Sequence, residues 1–334
     1  MVFLLTKYLA YFIIIWQNVM EGALFMTDIR LIAFDLDGTL LTEKKVLTPR
    51  TRDILEYASK KGIELLATTG RALVGIPDSV KVLTGAHYAL TSNGAGVYRR
   101  AANKDSLPDN WKGLITEDAK KGLPSFELDV DTGYELLKEN LMDKDLTLSL
   151  MKELMELDVM PDPFIDGGCY MVAQKSYLVD RMAVSDSMKD YIRSSRTLID
   201  DMETFLSDKR VQKITINFAS DESGHRIDLD KVNAILEKYP GFVAVTGGIR
   251  NIEVSDRLAT KGDAMLDLAD KLGITSDEIV AFGDSENDIT MLRAAGLGVA
   301  MENSLDITKK AADDTTLSND DDGVAVYLEK LLGL

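Results

Sequence analysis

Cysteine and histidine are nearly missing from this 334-residue chain: Cys169 stands alone, and His87 and His225 are the only histidines. A single cysteine excludes an intrachain disulfide and gives no sign of an oxidising compartment. With so few nitrogen and sulfur ligands a zinc centre is disfavoured, and a thiol nucleophile would want an activating base. Cys169 is therefore expected to be a small buried or half-buried residue. A basic block is missing too. Lys and Arg number 38 against 55 Asp and Glu, a net charge of −17, which argues against a nucleic-acid-binding surface. The chain also lacks multiple apolar runs of membrane-spanning length, which excludes a many-span pump.

What is present suggests two domains with ample material for packed cores, the hydrophobic fraction being 46%. The first 25 residues stand apart. Residues 2–16 are apolar with one early lysine, which resembles a signal peptide or anchor, yet the run is short and aromatic and no clean small-residue cleavage site follows. Met20-Glu21-Gly22 can be encoded by a purine run of the ribosome-binding kind just upstream of Met26. Residues 1–25 are accordingly read as an extension outside the true start at Met26, with an N-terminal anchor as the competing reading. A cytoplasmic protein without a membrane partner is expected.

One stretch organises the rest: Leu31-Ile32-Ala33-Phe34-Asp35-Leu36-Asp37-Gly38-Thr39-Leu40-Leu41. An apolar run of strand length ends in two carboxylates at i and i+2, which in extended backbone project to the same side. Gly38 allows a sharp turn there. Two adjacent carboxylates repel unless a cation or a shared proton compensates. Alone, this could be an ordinary Asx turn.

Later stretches supply context. Thr48-Pro49 is an N-cap with proline at the first helical position, opening a helix over 50–61 that Gly62 stops. Residues 63–68 read as a strand leading into Thr69-Gly70-Arg71, and 87–91 as another leading into Ser92-Asn93-Gly94. From about 97 to 248 the texture changes to helical stretches at 134–142, 148–157 and 185–191 and β-like runs at 170–173, 213–218 and 242–246. This reads as an inserted α+β domain. Alternation then resumes with a helix opened by Lys261-Gly262, a strand at 278–282 running into Gly283-Asp284-Ser285-Glu286-Asn287-Asp288, a helix at 289–295, a strand at 297–301 and a last helix at 324–332. The prediction is an α/β fold: a Rossmann-like parallel-sheet core from residues 26–96 and 249–334, with an α+β cap from 97–248.

Ligands of open parallel sheets bind outside the carboxyl ends of the strands. The four loops should therefore meet at one edge, joined by Lys261. Several carboxylates, a hydroxyl, an amide and an ammonium around one pocket suit a hard cation such as Mg²⁺ together with a phosphate.

Asp35-Leu36-Asp37-Gly38-Thr39-Leu40, Thr69-Gly70-Arg71, Lys261-Gly262 and the stretch from Gly283 to Asp288 resemble, in order, the four motifs of haloacid-dehalogenase-superfamily phosphatases. Asn93-Gly94, the large insert and the wording of the last motif resemble the Cof-like sugar-phosphate phosphatase group, whose caps are of the C2 type. The resemblance spans about residues 29–332. It implies Asp35 as nucleophile and Asp37 as general acid and base. It implies Asp35, the Asp37 backbone carbonyl and Asp284 as Mg²⁺ ligands, with Asp288 on a metal-bound water or on Lys261. Thr69, Gly70 and Lys261 would hold the phosphoryl group, with Asn93 and Asn287 as further phosphate or substrate contacts. Arg71 is either a surface ion pair or a substrate contact. The implied substrate is a small phosphorylated metabolite, a sugar phosphate or a phosphorylated cofactor. A phosphomutase and a non-catalytic phospholigand-binding protein are the alternatives. In the insert, Gly167-Gly168, Lys213 and His225 are read as structural before functional.

Overall fold

The computed structural model describes residues 29–100, 134–246 and 251–334. The N-terminal extension and Met26 lie outside these residues, as does the stretch 101–133. Among the described residues no helix is long and apolar enough to cross a membrane.

The core is an eight-stranded sheet of order β14-β13-β12-β1-β2-β3-β4-β5. At its centre β1 (Leu31–Phe34) pairs in parallel with β2 (Glu64–Thr68) and β12 (Ile279–Gly283). All four β1 residues are buried, as a strand covered on both faces requires. Their alternation feeds two hydrophobic layers. Ile32 and Phe34 pack on one side with Ile54 and Leu55 of helix α1 (Pro49–Lys60) and with Val324 and Leu328 near the C-terminus. Leu31 and Ala33 pack on the other side with Met265, Leu268, Met291 and Leu292. Helix α1 starts where its sequence predicts: the Thr48 hydroxyl accepts from the Thr51 amide and Pro49 takes the first position.

Outward from β2 lie β3 (Tyr88–Thr91), then β4 (Gly96–Arg100) and β5 (Tyr134–Glu139), the last two antiparallel. This moves the boundary expected at 96/97, because β4 and β5 belong to the core sheet. The reversal from β3 into β4 passes through left-handed backbone at Ser92, Asn93 and Gly94. It makes a hairpin addition that the alternating βαβ pattern does not announce. Residues 134–142, expected as helix, hold β5 instead. Their Glu, Leu and Lys content favours helix locally, but pairing with β4 and burial of Tyr134 prevail.

The second domain carries helices α2 (Lys144–Met155), α3 (Asp186–Ser194), α4 (Met202–Leu206) and α5 (Leu229–Leu236). Its six-stranded sheet runs β10-β11-β9-β6-β7-β8. The strands are β6 (Val159–Ile165), β7 (Gly168–Val172), β8 (Thr197–Ile199), β9 (Lys213–Phe218), β10 (Phe242–Thr246) and β11 (Ile252–Asp256). Strand β11 was expected in the core after 248, yet it pairs with β9 and β10. Its Ile252 and Val254 join Ile214, Ile216, Leu150, Leu154 and Val232 in the core of this domain. Alternate residues of these strands, Lys213, Thr215 and Glu253, face the other domain. Gly167-Gly168 belongs to the β6–β7 turn, whose Gly167 carbonyl accepts from the Val74 amide of the core domain.

After β11 the chain returns to the core through α6 (Lys261–Lys271), β12, α7 (Ile289–Ala294), β13 (Leu297–Ala300), β14 (Asp314–Thr315) and α8 (Gly323–Leu331). The result is a doubly wound α/β core with an α+β cap seated over the carboxyl ends of its strands.

Candidate active site

The parallel core strands β1, β2, β3 and β12 deliver their loops to one edge, because parallel strands end on the same side. Asp35 follows β1 directly, and its amide donates to the Phe282 carbonyl of β12. Asp284 follows β12. The Lys261 ammonium, wholly buried at the start of α6, bonds Asp35 Oδ1 and Asp288 Oδ1, each at 2.6 Å. Asp288 Oδ2 accepts from the Asp284 and Ser285 amides. Both Asp288 oxygens are thus engaged within the protein, and Asp288 acts on the site chiefly through Lys261.

Asp35, Asp284 and Asp288 each place a carboxylate oxygen within 4.8 Å of the others. One ammonium does not balance three carboxylates in a buried site. Burial, opposed by Lys261 and reinforced by Asp288 and Asp284, pushes the Asp35 carboxyl well above its ordinary range. Burial and then Asp288 push Asp284 to about 6. Among the described residues Asp284 receives only two hydroxyl donors, Thr39 and Ser285, each at 3.0 Å. An all-oxygen, charge-surplus cluster of this kind fits a hard divalent cation. The Asp37 carboxylate stands outside this cluster; it is the backbone carbonyl of that residue, not its side chain, that the resemblance assigns to the cation.

Asp37 instead takes two hydrogen bonds from Arg71, at 2.6 and 2.7 Å, and an ion pair from Lys45 at 2.7 Å. Burial alone would raise its carboxyl; Arg71 and Lys45 bring it down to about 2. The two i, i+2 carboxylates do face one cavity, but they are divided between separate cations, which relieves their repulsion. Arg71 is therefore neither a surface pair nor free for substrate in this arrangement. Sequence reading missed Lys45: it sits at a loop tip with φ 60, and nothing local links it to Asp37.

Thr69 and Gly70 line the cavity. The Thr69 hydroxyl accepts from the Arg71 amide, and the Gly70 carbonyl accepts from Lys213 of the cap at 2.5 Å. Asn93 departs from expectation. Its amide nitrogen donates to Glu253 at 2.6 Å and its oxygen accepts from Asn287 at 3.0 Å, so it ties cap to core rather than meeting a phosphate. Asn287 keeps an unpartnered Oδ1 and lines the cavity. Lys213 is fully buried and also bonds Glu253 at 2.8 Å. Cys169 is a buried free thiol, and burial pushes it up to about 12. His225 is exposed beside Asp221, away from the site.

The cavity between core and cap measures about 730 Å³, large enough for a metabolite of modest size. Gly38 controls its floor. The residue has φ +91, and a Cβ there would lie 2.6 Å from Asp284 Oδ2. Gly38→Ala is expected to displace Asp284 and lower kcat/KM by about 10²-fold. Steady-state kinetics alongside a melting curve would check this, and wild-type kinetics would refute it.

The family model for haloacid dehalogenase-like hydrolases matches residues 32–120 and 130–328. Phosphatase YwpJ of Bacillus subtilis is 30% identical over 317 residues, 91% of this chain and 100% of the relative. The 5-amino-6-(5-phospho-D-ribitylamino)uracil phosphatase YwtE of the same organism is 26% identical, over 90% of this chain and 97% of its own. A solved haloacid dehalogenase-like hydrolase from B. subtilis superposes with a TM-score of 0.70 at 26% identity, covering 90% of this chain and 99% of that one. With its four motif loops gathered at one sheet edge beneath a cap, the chain belongs to the haloacid dehalogenase-like hydrolases, among their phosphatases.

Proposed function

We propose that the protein is a cytoplasmic, Mg²⁺-dependent phosphomonoesterase acting on small phosphorylated metabolites through an aspartyl-phosphate on Asp35. The observation that carries this reading is the buried carboxylate cluster of Asp35, Asp284 and Asp288, short of positive charge and open to a capped cavity. Asp35 and Asp284 would hold the cation, with the Asp37 backbone carbonyl as a further ligand. When bound, Mg²⁺ neutralises charge on the phosphoryl oxygens and on the attacking carboxylate.

The remaining roles fall to side chains. An Asp35 oxygen forms the new bond to phosphorus as the bond to the leaving oxygen breaks, and Asp37 gives that oxygen a proton. Water then attacks the phosphoryl group, Asp37 takes its proton, and Asp35 is released as carboxylate. Lys261 fixes the attacking carboxylate and, with Thr69, offers positive charge and a hydroxyl to the phosphoryl oxygens. Held by Arg71 and Lys45, Asp37 is ionised, the form that accepts a proton from water. To donate one to the leaving group it must first take up a proton from solvent, which it does once those cations shift toward the substrate's phosphate and no longer hold it ionised. The likeness to a ribitylamino-uracil phosphate phosphatase supports a metabolite phosphate of that general size.

Phosphate release from a panel of sugar and cofactor phosphates should occur with Mg²⁺ and stop with EDTA. Absence of release from every member, with folded and metal-loaded protein, would refute the reading. A stability effect should accompany it. Asp284 has its folded pKa raised to about 6, so the folded state binds more protons than the unfolded one between the ordinary carboxyl value and about 6. In EDTA its contribution to stability is present at low pH and lost as pH rises through about 6. Mg²⁺ should restore the melting temperature at neutral pH. A melting temperature insensitive to both would count against the metal site.

A further inference from the structure

The loop that carries Asp37 is stitched to a stretch of chain remote in sequence. Asn303, just after β13, donates from Nδ2 to the Gly38 carbonyl at 2.8 Å. Its Oδ1 accepts from the Asn319 backbone amide at 3.1 Å. Both partners are backbone groups of fixed polarity, so they settle which way the Asn303 amide faces. Asn319 is itself buried and donates from Nδ2 to the Leu41 carbonyl at 2.8 Å. The residues after Asn303 hold a second loop. Ser304 Oγ donates to the Gly283 carbonyl and the Leu305 amide to the Asp284 carbonyl, each at 3.3 Å. Three consecutive residues, 303–305, thus bridge the loop after β1 and the loop after β12. Those loops carry the Asp37 carbonyl and the Asp284 carboxylate, two of the ligands proposed for the cation.

Gly38 explains why such a bridge is wanted. It lies at φ +91, in a region glycine enters and leaves without a Cβ penalty. The peptide planes on its two sides, one bearing the Asp37 carbonyl and the other the Gly38 carbonyl, are coupled through that permissive residue. The Leu40 and Leu41 amides close the loop onto the Asp35 and Leu36 carbonyls, which fixes its ends but neither of those planes. Among the described residues no hydrogen bond ends on the Asp37 carbonyl. Fixing the Gly38 carbonyl on Asn303 therefore restrains the plane next to it. Mg²⁺ demands near-ideal octahedral geometry at about 2.0–2.1 Å, so a ligand free to swing would bind it poorly.

We propose that Asn303, held in turn by Asn319, is a positioning residue for the cation site: it locks the Gly38 peptide and so keeps the Asp37 carbonyl available beside Asp284. The inference rests on the Mg²⁺-dependent reading and adds to it a residue outside the four motif loops. Outer partners of metal ligands change affinity by about 10–100-fold when removed.

Asn303→Ala and Asn303→Asp test it. Mg²⁺ binding to the full chain is measured by titration calorimetry, alongside the Mg²⁺ dependence of p-nitrophenyl phosphate hydrolysis. Both variants should raise the Mg²⁺ Kd by about tenfold or more. At saturating Mg²⁺ their kcat and KM should return to within about threefold of wild type. Asn303 is exposed, so both should melt near the wild-type temperature in EDTA. The aspartate variant is the sharper of the two. It keeps the shape and the acceptor for Asn319 but has no N–H for Gly38, and its added negative charge would by itself tighten cation binding. Weaker binding in spite of that charge reports lost geometry. An unchanged Kd in Asn303→Ala, or a tighter one in Asn303→Asp, overturns the inference and leaves the Mg²⁺-dependent reading standing. So does a loss of activity that saturating Mg²⁺ fails to restore, as a general defect of the fold would give. A wild type that binds no Mg²⁺ and hydrolyses nothing overturns that reading and the inference with it.

Discussion

Replacing Asp35 with asparagine is expected to lower kcat by about 10⁴-fold or more while leaving the fold intact. Asparagine keeps the shape of the side chain but has no anionic oxygen to attack phosphorus. The stability side of the prediction follows from electrostatics. Asp35 is buried beside Asp284 and Asp288, and burial raises its carboxyl well above the ordinary range. Removing that charge relieves repulsion, and Lys261 keeps Asp288 at 2.6 Å. In EDTA the variant should therefore melt at the wild-type temperature or above it. Retained activity would overturn the nucleophile assignment. A large loss of melting temperature would show instead that the Lys261–Asp35 pair holds the sheet edge together.

Lys213→Met should produce the largest loss of stability, about 3–5 kcal/mol. The ammonium is fully buried at the domain interface, where it bonds the Gly70 carbonyl of the core and the Glu253 carboxylate of the cap. Methionine fills much of the same volume, but Glu253 is left as a buried carboxylate with, among the described residues, only the Asn93 amide as donor. The loss comes from that stranded charge, so Lys213→Met combined with Glu253→Gln should recover most of it. Turnover should fall as well, because Gly70 and Asn93 belong to loops of the site and the cap would no longer hold them. Urea denaturation of the single and double variants decides the matter. A single variant within about 1 kcal/mol of wild type, the range of ordinary exposed pairs, would mean that the pair does not bind cap to core.

The legibility of the site followed sequence distance. Asp35, Thr69, Lys261 and Asp284 were readable because each sits at the end of a strand or the start of a helix, where local pattern fixes its position. Arg71 was visible as a residue but not as the partner of Asp37. Lys45 was not visible in that role, nor was Lys213 as a cap-to-core cation. Those pairings depend on which loops approach one another. The domain boundaries failed for a related reason. Composition shifts near residue 97, yet β4 and β5 still hydrogen-bond to the core sheet. Residues 252–256 alternate like any half-buried strand, and only their neighbours decide which sheet they join.

The amino-acid order alone determined the alternating core, its parallel sheet and the carboxylates, hydroxyl and ammonium delivered to one edge. Those properties follow from periodicities of two and 3.6 residues and from glycine and proline at element ends, all local constraints on backbone. Tertiary structure decided how charge is distributed among these residues. It paired Asp37 with Arg71 and Lys45, moved Asn93 from substrate contact to interdomain tie, and brought Asn303 and Asn319 onto the loop that carries Asp37. Such choices turn on distances between segments remote in sequence, and in a buried site the strength of each interaction is set by those distances and by the exclusion of water.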